Sequence, residues 1–247
     1  MAATQKWNDR PNKYNNDEDL FHVIRQVIPT TGTHNVLCLP GYSFRWERNL
    51  AEQNTLRNWQ FYGLQPDGEG RDQLAVNGFE LNHEYKLKGI ETRFHSHSMS
   101  KLCKLRLENY VYQTDKTFSI IYADWMGGWY HRTRTTIETI FRRKLLHDGG
   151  LLMFTAQINC ARSEPKTNGF ASLVTYYNAN AVRNVDPKIE TIGEQDLKVG
   201  ATSIDSIVKN AGSTRGYDLT LAHLGRYKGD RKAHDMFTFS YVCNKQK

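Results

Sequence analysis

Two short apolar runs constrain this chain more than any other feature of it. Val36-Leu37-Cys38-Leu39 is stopped by Pro40-Gly41, and Phe118-Ser119-Ile120-Ile121-Tyr122-Ala123 is stopped by Asp124. Each is too short for a helix and lacks a regular polar alternation, as expected of a strand covered on both faces. Strands of that kind belong to parallel sheets with helices on either side. The two runs are therefore expected as adjacent central strands of one sheet.

The remaining segments supply the covering elements. A helix fits Asp17 to Val27, with Leu20, Val23, Ile24 and Val27 on one face and Pro29 beyond its end. Phe44 to Leu56 has helical character and Trp59 to Leu64 reads as a strand, which completes a βαβ unit. Gly68 to Gly89 is polar and rich in turn residues, so a loop with at most a short helix is expected. Ile90 to Phe94 fits a strand and Ser100 to Tyr112 a helix. Arg134 to Leu146 is helical through Ile137, Ile140, Phe141 and Leu145, with Gly149-Gly150 as its expected C-terminal cap. Leu151 to Ile158 follows as a strand, then helices around Phe170 to Ala181 and Glu194 to Asn210. Strands at Tyr217 to Leu224 and Met236 to Cys243, joined by the basic turn Arg226 to Lys232, finish the chain. Alternating β and α elements with a closing pair of strands specify a mostly parallel sheet with an antiparallel edge. The expected organisation is a polar arm over 1–16 and one domain over 17–247.

Composition excludes several classes. At 39% hydrophobic and 12% aromatic residues the chain can build a core, so wholesale disorder is excluded. No stretch approaches the ~20 apolar residues of a membrane span, and the N-terminus has no signal-peptide pattern. A soluble cytoplasmic protein is expected. Cys38, Cys103, Cys160 and Cys243 form no CxxC pair and read as reduced core thiols. The His95-Ser96-His97 cluster lacks a carboxylate or cysteine at a ligand spacing, so no metal is expected. No P-loop, GxSxG elbow, HExxH or EF-hand pattern occurs.

The net charge of +7 is concentrated in two places. Lys101 to His147 holds nine Lys and Arg against four Asp and Glu, and Arg226 to Lys247 holds six against two. Basic segments on an otherwise balanced chain suggest a polyanionic partner, nucleic acid (DNA or RNA) before membrane, or else an ordinary solvated face. The candidate phosphate contacts are Arg142, Arg143, Lys144, Arg226, Lys228, Arg231 and Lys232, expected on one face.

This order of elements resembles the class I, Rossmann-like fold of the S-adenosylmethionine-dependent methyltransferases, an α/β architecture with a seven-stranded sheet and helices on both faces. In that family a Gly-containing loop after the first strand approaches the cofactor, and Leu39-Pro40-Gly41-Tyr42 stands there with a single glycine. A carboxylate at the end of the second strand takes the ribose, and Gln65 or Asp67 matches it. Ser98 and Met99 match the loop around the adenine. The most informative likeness is Asp124-Trp125-Met126-Gly127-Gly128-Trp129. It resembles the Asp/Asn-Pro-Pro-aromatic tetrad of the nucleic-acid amino-methyltransferases without its prolines, and is closer to an Asp-aromatic-x-Gly variant in virus and microbial methyltransferase-like proteins. The resemblance implies that Asp124 accepts from the target amine and that Trp125 or Trp129 stacks on a flipped base. It implies S-adenosylmethionine as cofactor and methyl transfer to a nucleic-acid base amine as activity. A catalytically inactive relative, serving as a nucleic-acid-binding or structural module, is the alternative.

Overall fold

The computed structural model describes residues 11–40, 44–64, 68–95, 107–129, 131–157, 194–228 and 235–247. The elements in chain order are α1 (Pro11–Val27), β1 (Thr33–Cys38), α2 (Arg45–Gln53), β2 (Asn58–Gly63), α3 (Gly68–Leu87), β3 (Arg93–Phe94) and α4 (Leu107–Gln113). They continue with β4 (Phe118–Gly128), α5 (His131–Arg142), β5 (Leu146–Gln157), α6 (Glu194–Ser213), β6 (Tyr217–Lys228) and β7 (Asp235–Lys245). The segment expected as a helix around Phe170 to Ala181 lies outside the described residues.

The strands form one sheet in the order β3-β2-β1-β4-β5-β7-β6. Strands β1 to β5 are parallel, and β7 runs antiparallel between β5 and β6. The two apolar runs are neighbours as expected, with Val36 opposite Ile120 and Leu37 opposite Ile121. Alternate residues of these strands feed two cores. Leu37, Ile121, Leu152 and Phe154 enter one with α4, α5 and α6, and Val36, Ile120, Leu151 and Met153 enter the other with α1, α2 and α3. Such double coverage is why the runs lack alternation. Cys38 and Cys243 are free and buried. No described helix is long and apolar enough to cross a membrane.

Two expectations are corrected. The polar segment after Gly68 is a 20-residue helix. Leu74, Leu81 and Tyr85 anchor it in the core while Val76, Phe79 and Leu87 face outward, so its apolar residues are split between faces. That split flattens the periodicity by which an amphipathic helix is recognised. Nor do Gly149-Gly150 cap α5. That helix ends in a Schellman turn with Lys144 left-handed at φ 53, its N–H donating to the Phe141 carbonyl and that of Leu145 to Ile140. Gly149, at φ 71, and Gly150 instead form an irregularity within β5, between the Phe118–Leu146 and Ile120–Leu151 pairs. Gly150 sits where a Cβ would lie 3.1 Å from the His147 carbonyl oxygen and 3.2 Å from that of Ser119.

At the amino-terminal end of the central strands, His34 Nδ1 lies 3.3 Å from Ser119 Oγ and His147 Nδ1 3.5 Å from the same atom. Burial, the largest influence, pushes both imidazoles below their ordinary value, and Arg57 near His34 and Lys245 near His147 act in the same direction. A depressed folded-state value means that the unfolded chain binds protons more readily below about pH 6.5. Stability is therefore expected to be fully present above that pH and to fall as pH drops through the folded values. Thermal melting between pH 7.5 and 5.5 checks this, and His34→Gln should flatten the dependence.

Candidate active site

In open α/β sheets the ligand crevice lies at the carboxyl ends of the strands where the strand order reverses. Here that point is between β1 and β4. On the β1 side, Leu39 is half-buried and Pro40 fully buried, and α2 begins after Phe44, which is left-handed at φ 49. Pro40 packs against the end of β2: a Cβ on Gly63 would stand 2.7 Å from its Cγ, and the Leu64 N–H donates to the Cys38 carbonyl at 3.1 Å. The carboxyl ends of β1 and β2 are thus locked together. Gly63→Ala is expected to destabilise the protein by about 1–3 kcal/mol, because a buried ring cannot yield as a flexible side-chain end would. Chemical denaturation against the parent chain checks the loss.

Charged groups line the α1 and α2 side. Arg45 donates from Nη2 to Asp17 Oδ2 at 2.6 Å, and Asp17 is only 1% exposed. Glu47, 2% exposed, stands next to Cys38 and, after burial itself, is what raises that thiol. Tyr122 of β4 packs against Trp46 with ring centroids 4.7 Å apart and the rings tilted by 43°. These residues escape sequence inspection because they are spread over four elements.

On the β4 side, Asp124 is half-buried, and the strand does not end there. It runs on to Gly128 with an irregularity, since Asp124 pairs with Thr155 and Gly128 with Gln157. Bulges of this kind re-aim side chains. The Thr155 hydroxyl contacts Asp124 Oδ1 at 2.7 Å and the Trp125 carbonyl oxygen at 3.1 Å. Trp125 is half-buried and packs on Phe154 at a centroid distance of 5.9 Å. Trp129 also packs on Phe154, at 5.7 Å, and is 2% exposed. It belongs to the core, which corrects its expected role as a base-stacking surface.

The other expected site residues are placed as follows. Gly41, Tyr42, Gln65, Asp67, Ser98, Met99, Arg231 and Lys232 lie outside the described residues. Arg142, Arg143 and Lys144 close α5 just before β5 begins at Leu146. Arg143 donates to the Val111 and Tyr112 carbonyls and pairs with Asp115 at 3.1 Å, and Arg142 lies over the Tyr112 ring. Arg226 and Lys228 sit at the other end of the sheet, where Arg226 pairs with Phe237 and Phe237 with Ala156. From Leu146 to Ala156 the strand rises roughly 30 Å. The two basic segments therefore do not share one face, and only the β6–β7 end lies on the crevice side.

No family model matches the chain, and no curated protein matches it. Solved structures do. The chain is similar to the N-methyltransferase NodS from Bradyrhizobium japonicum WM9 at 13% identity and a TM-score of 0.50, covering 96% of this chain and 99% of that one. It is similar to magnesium protoporphyrin IX methyltransferase from Synechocystis PCC 6803, solved with bound S-adenosylhomocysteine, at 10% identity and a TM-score of 0.52, covering 98% and 88%. A putative sarcosine dimethylglycine methyltransferase from Galdieria sulphuraria matches at 8% identity and a TM-score of 0.50, covering 95% and 88%. With the strand order, the antiparallel β7 and helices on both faces, this chain has the fold of the class I S-adenosylmethionine-dependent methyltransferases.

Proposed function

We propose that the protein is an S-adenosylmethionine-dependent methyltransferase whose acceptor is an amine, in the first instance that of a nucleic-acid base. The observation that carries the reading is Asp124, a carboxylate at the carboxyl end of β4 beside the point where strand order reverses, held by the hydroxyl of Thr155. Donors and acceptors suited to the cofactor stand around the same crevice. The Arg45–Asp17 pair and Glu47 offer both charges near the start of α2, where an amino-acid zwitterion needs them. Gly41, Tyr42, Gln65 or Asp67, Ser98 and Met99 complete the reading by sequence position. The bound cofactor supplies an electrophilic methyl group. The protein's part is to orient the acceptor lone pair in line with it and to receive the proton that the amine gives up.

Nucleic acid as the acceptor's carrier is supported by the net charge of +7 and by Arg226 and Lys228 on the crevice side. Those two, with Arg231 and Lys232, are the proposed phosphate contacts, while Trp125 is the proposed stacking surface. Binding of oligonucleotides is expected to weaken as salt rises, with a log–log slope near −0.9 per duplex phosphate contacted. A second reading, a binding module without turnover, draws support from Pro40, which is buried on Gly63 rather than presented to the crevice. Calorimetric titration with S-adenosylmethionine and S-adenosylhomocysteine separates the two. Micromolar affinity supports the enzyme, and no heat at millimolar ligand leaves the module.

A further inference from the structure

Thr155 is the lone polar residue among the apolar side chains from Leu151 to Ala156, and it is fully buried. Its hydroxyl touches two oxygens, Asp124 Oδ1 at 2.7 Å and the Trp125 carbonyl at 3.1 Å. Both are acceptors while Asp124 is ionised, and a hydroxyl has one proton to donate but can also accept. The hydroxyl has a partner for its proton in two forms. With Asp124 ionised, Thr155 donates to the carboxylate. With Asp124 protonated, the carboxyl donates to Thr155 Oγ1, and the Thr155 proton turns to the Trp125 carbonyl. The irregular register of β4 brings that carbonyl within reach, because the three residues between Asp124 and Gly128 stand against the one between Thr155 and Gln157.

We infer that Thr155 is a positioning residue that holds Asp124 in the same place whether or not it carries a proton. The inference rests on the proposed methyltransferase reading for its use. There, the acceptor nitrogen forms its bond to the methyl carbon as the carbon–sulfur bond of the sulfonium breaks, which leaves the nitrogen cationic. Its proton passes to the Asp124 carboxylate, and the Thr155 hydroxyl rotates to the Trp125 carbonyl. Nothing else is consumed, and the buried Thr155 hydroxyl keeps an acceptor for its proton throughout the step.

The test uses the full chain labelled with carboxyl-13C aspartate, the Asp124 resonance being assigned by its loss in Asp124→Asn. The position of that resonance at neutral pH is expected to change in Thr155→Val, because the carboxylate loses the charge-assisted bond from the hydroxyl. It should return to the parent position in Thr155→Ser. An unmoved resonance in Thr155→Val, or a change that serine does not reverse, overturns the inference. Tritiated S-adenosylmethionine with single-stranded oligonucleotides containing adenine and cytosine provides the second readout. Thr155→Val should lower kcat about tenfold or more at an unchanged KM for the cofactor, again restored by serine. If the parent chain transfers no methyl group while the resonance behaves as expected, the proposed activity fails and the bond from Thr155 to the Asp124 carboxylate stands.

Discussion

Replacing Asp124 by alanine is expected to lower the rate of methyl transfer by a factor on the order of 10²–10³ while leaving the melting temperature and the affinity for S-adenosylhomocysteine nearly unchanged. The asymmetry follows from the hydrogen bonds. A carboxylate that merely braced a turn would strand its partner on removal, at a cost of about 1–3 kcal/mol. Here one partner is the buried Thr155 hydroxyl, which keeps the Trp125 carbonyl as a second acceptor at 3.1 Å. The variant therefore loses a reacting group while the Thr155 hydroxyl keeps an acceptor. Methylation of an oligonucleotide substrate, melting and calorimetry on the same preparation check the three parts together. Methylation at the parent rate would remove Asp124 from the chemistry. Early unfolding with normal activity would make it a structural brace.

The parts of this molecule that were legible in the sequence are those fixed by local patterning. Val36–Leu39 and Ile120–Ala123 announce doubly covered strands because every second residue must enter a different core, and the structure places them side by side. The closing pair of strands is equally plain, since nothing between Tyr217 and Cys243 has room for a crossover helix. What escaped depends on the third dimension. Helix α3 presents Leu74 and Tyr85 inward and Phe79 and Leu87 outward, so its pattern averages away. The basic residues of α5 and of the β6–β7 end look alike as charge runs, yet one group precedes a strand and the other stands near its far end. Trp125 lies within the irregular stretch of β4 and is half-buried, whereas Trp129 lies just beyond the strand and is buried, a difference that their sequence positions do not announce. Thr155 gives no signal at all, since a single threonine in an apolar strand is ordinary filler until its register partner is known to be Asp124. The site residues expected in the loops after β1, β2 and β3 depend on sequence position alone.

Phe154→Ala is expected to give the largest loss of stability, about 3–5 kcal/mol, and to disturb the site from beneath. Phe154 is fully buried at the centre of an aromatic cluster, its ring 5.0 Å from that of Phe239 and 6.2 Å from that of Tyr241, both nearly parallel to it. On its other side stand Trp129 and Trp125, at 5.7 and 5.9 Å. Truncation removes one ring but leaves four others facing the void, and rings held by β4, the residue after it and β7 cannot all collapse into it, so the cavity term adds to the lost transfer energy. Leucine should recover part of the loss by filling volume without restoring the stack. The consequence for function runs through Trp125, whose carbonyl shares the Thr155 hydroxyl with Asp124. A Trp125 side chain free to settle into the void would draw that carbonyl away and leave Thr155 bonded to the carboxylate alone. Denaturant unfolding gives the stability of the alanine and leucine variants, and the near-ultraviolet circular dichroism of the aromatic cluster reports whether Trp125 moves. A loss below about 1 kcal/mol with an unaltered aromatic spectrum would mean that the cluster is not the keystone of this end of the sheet.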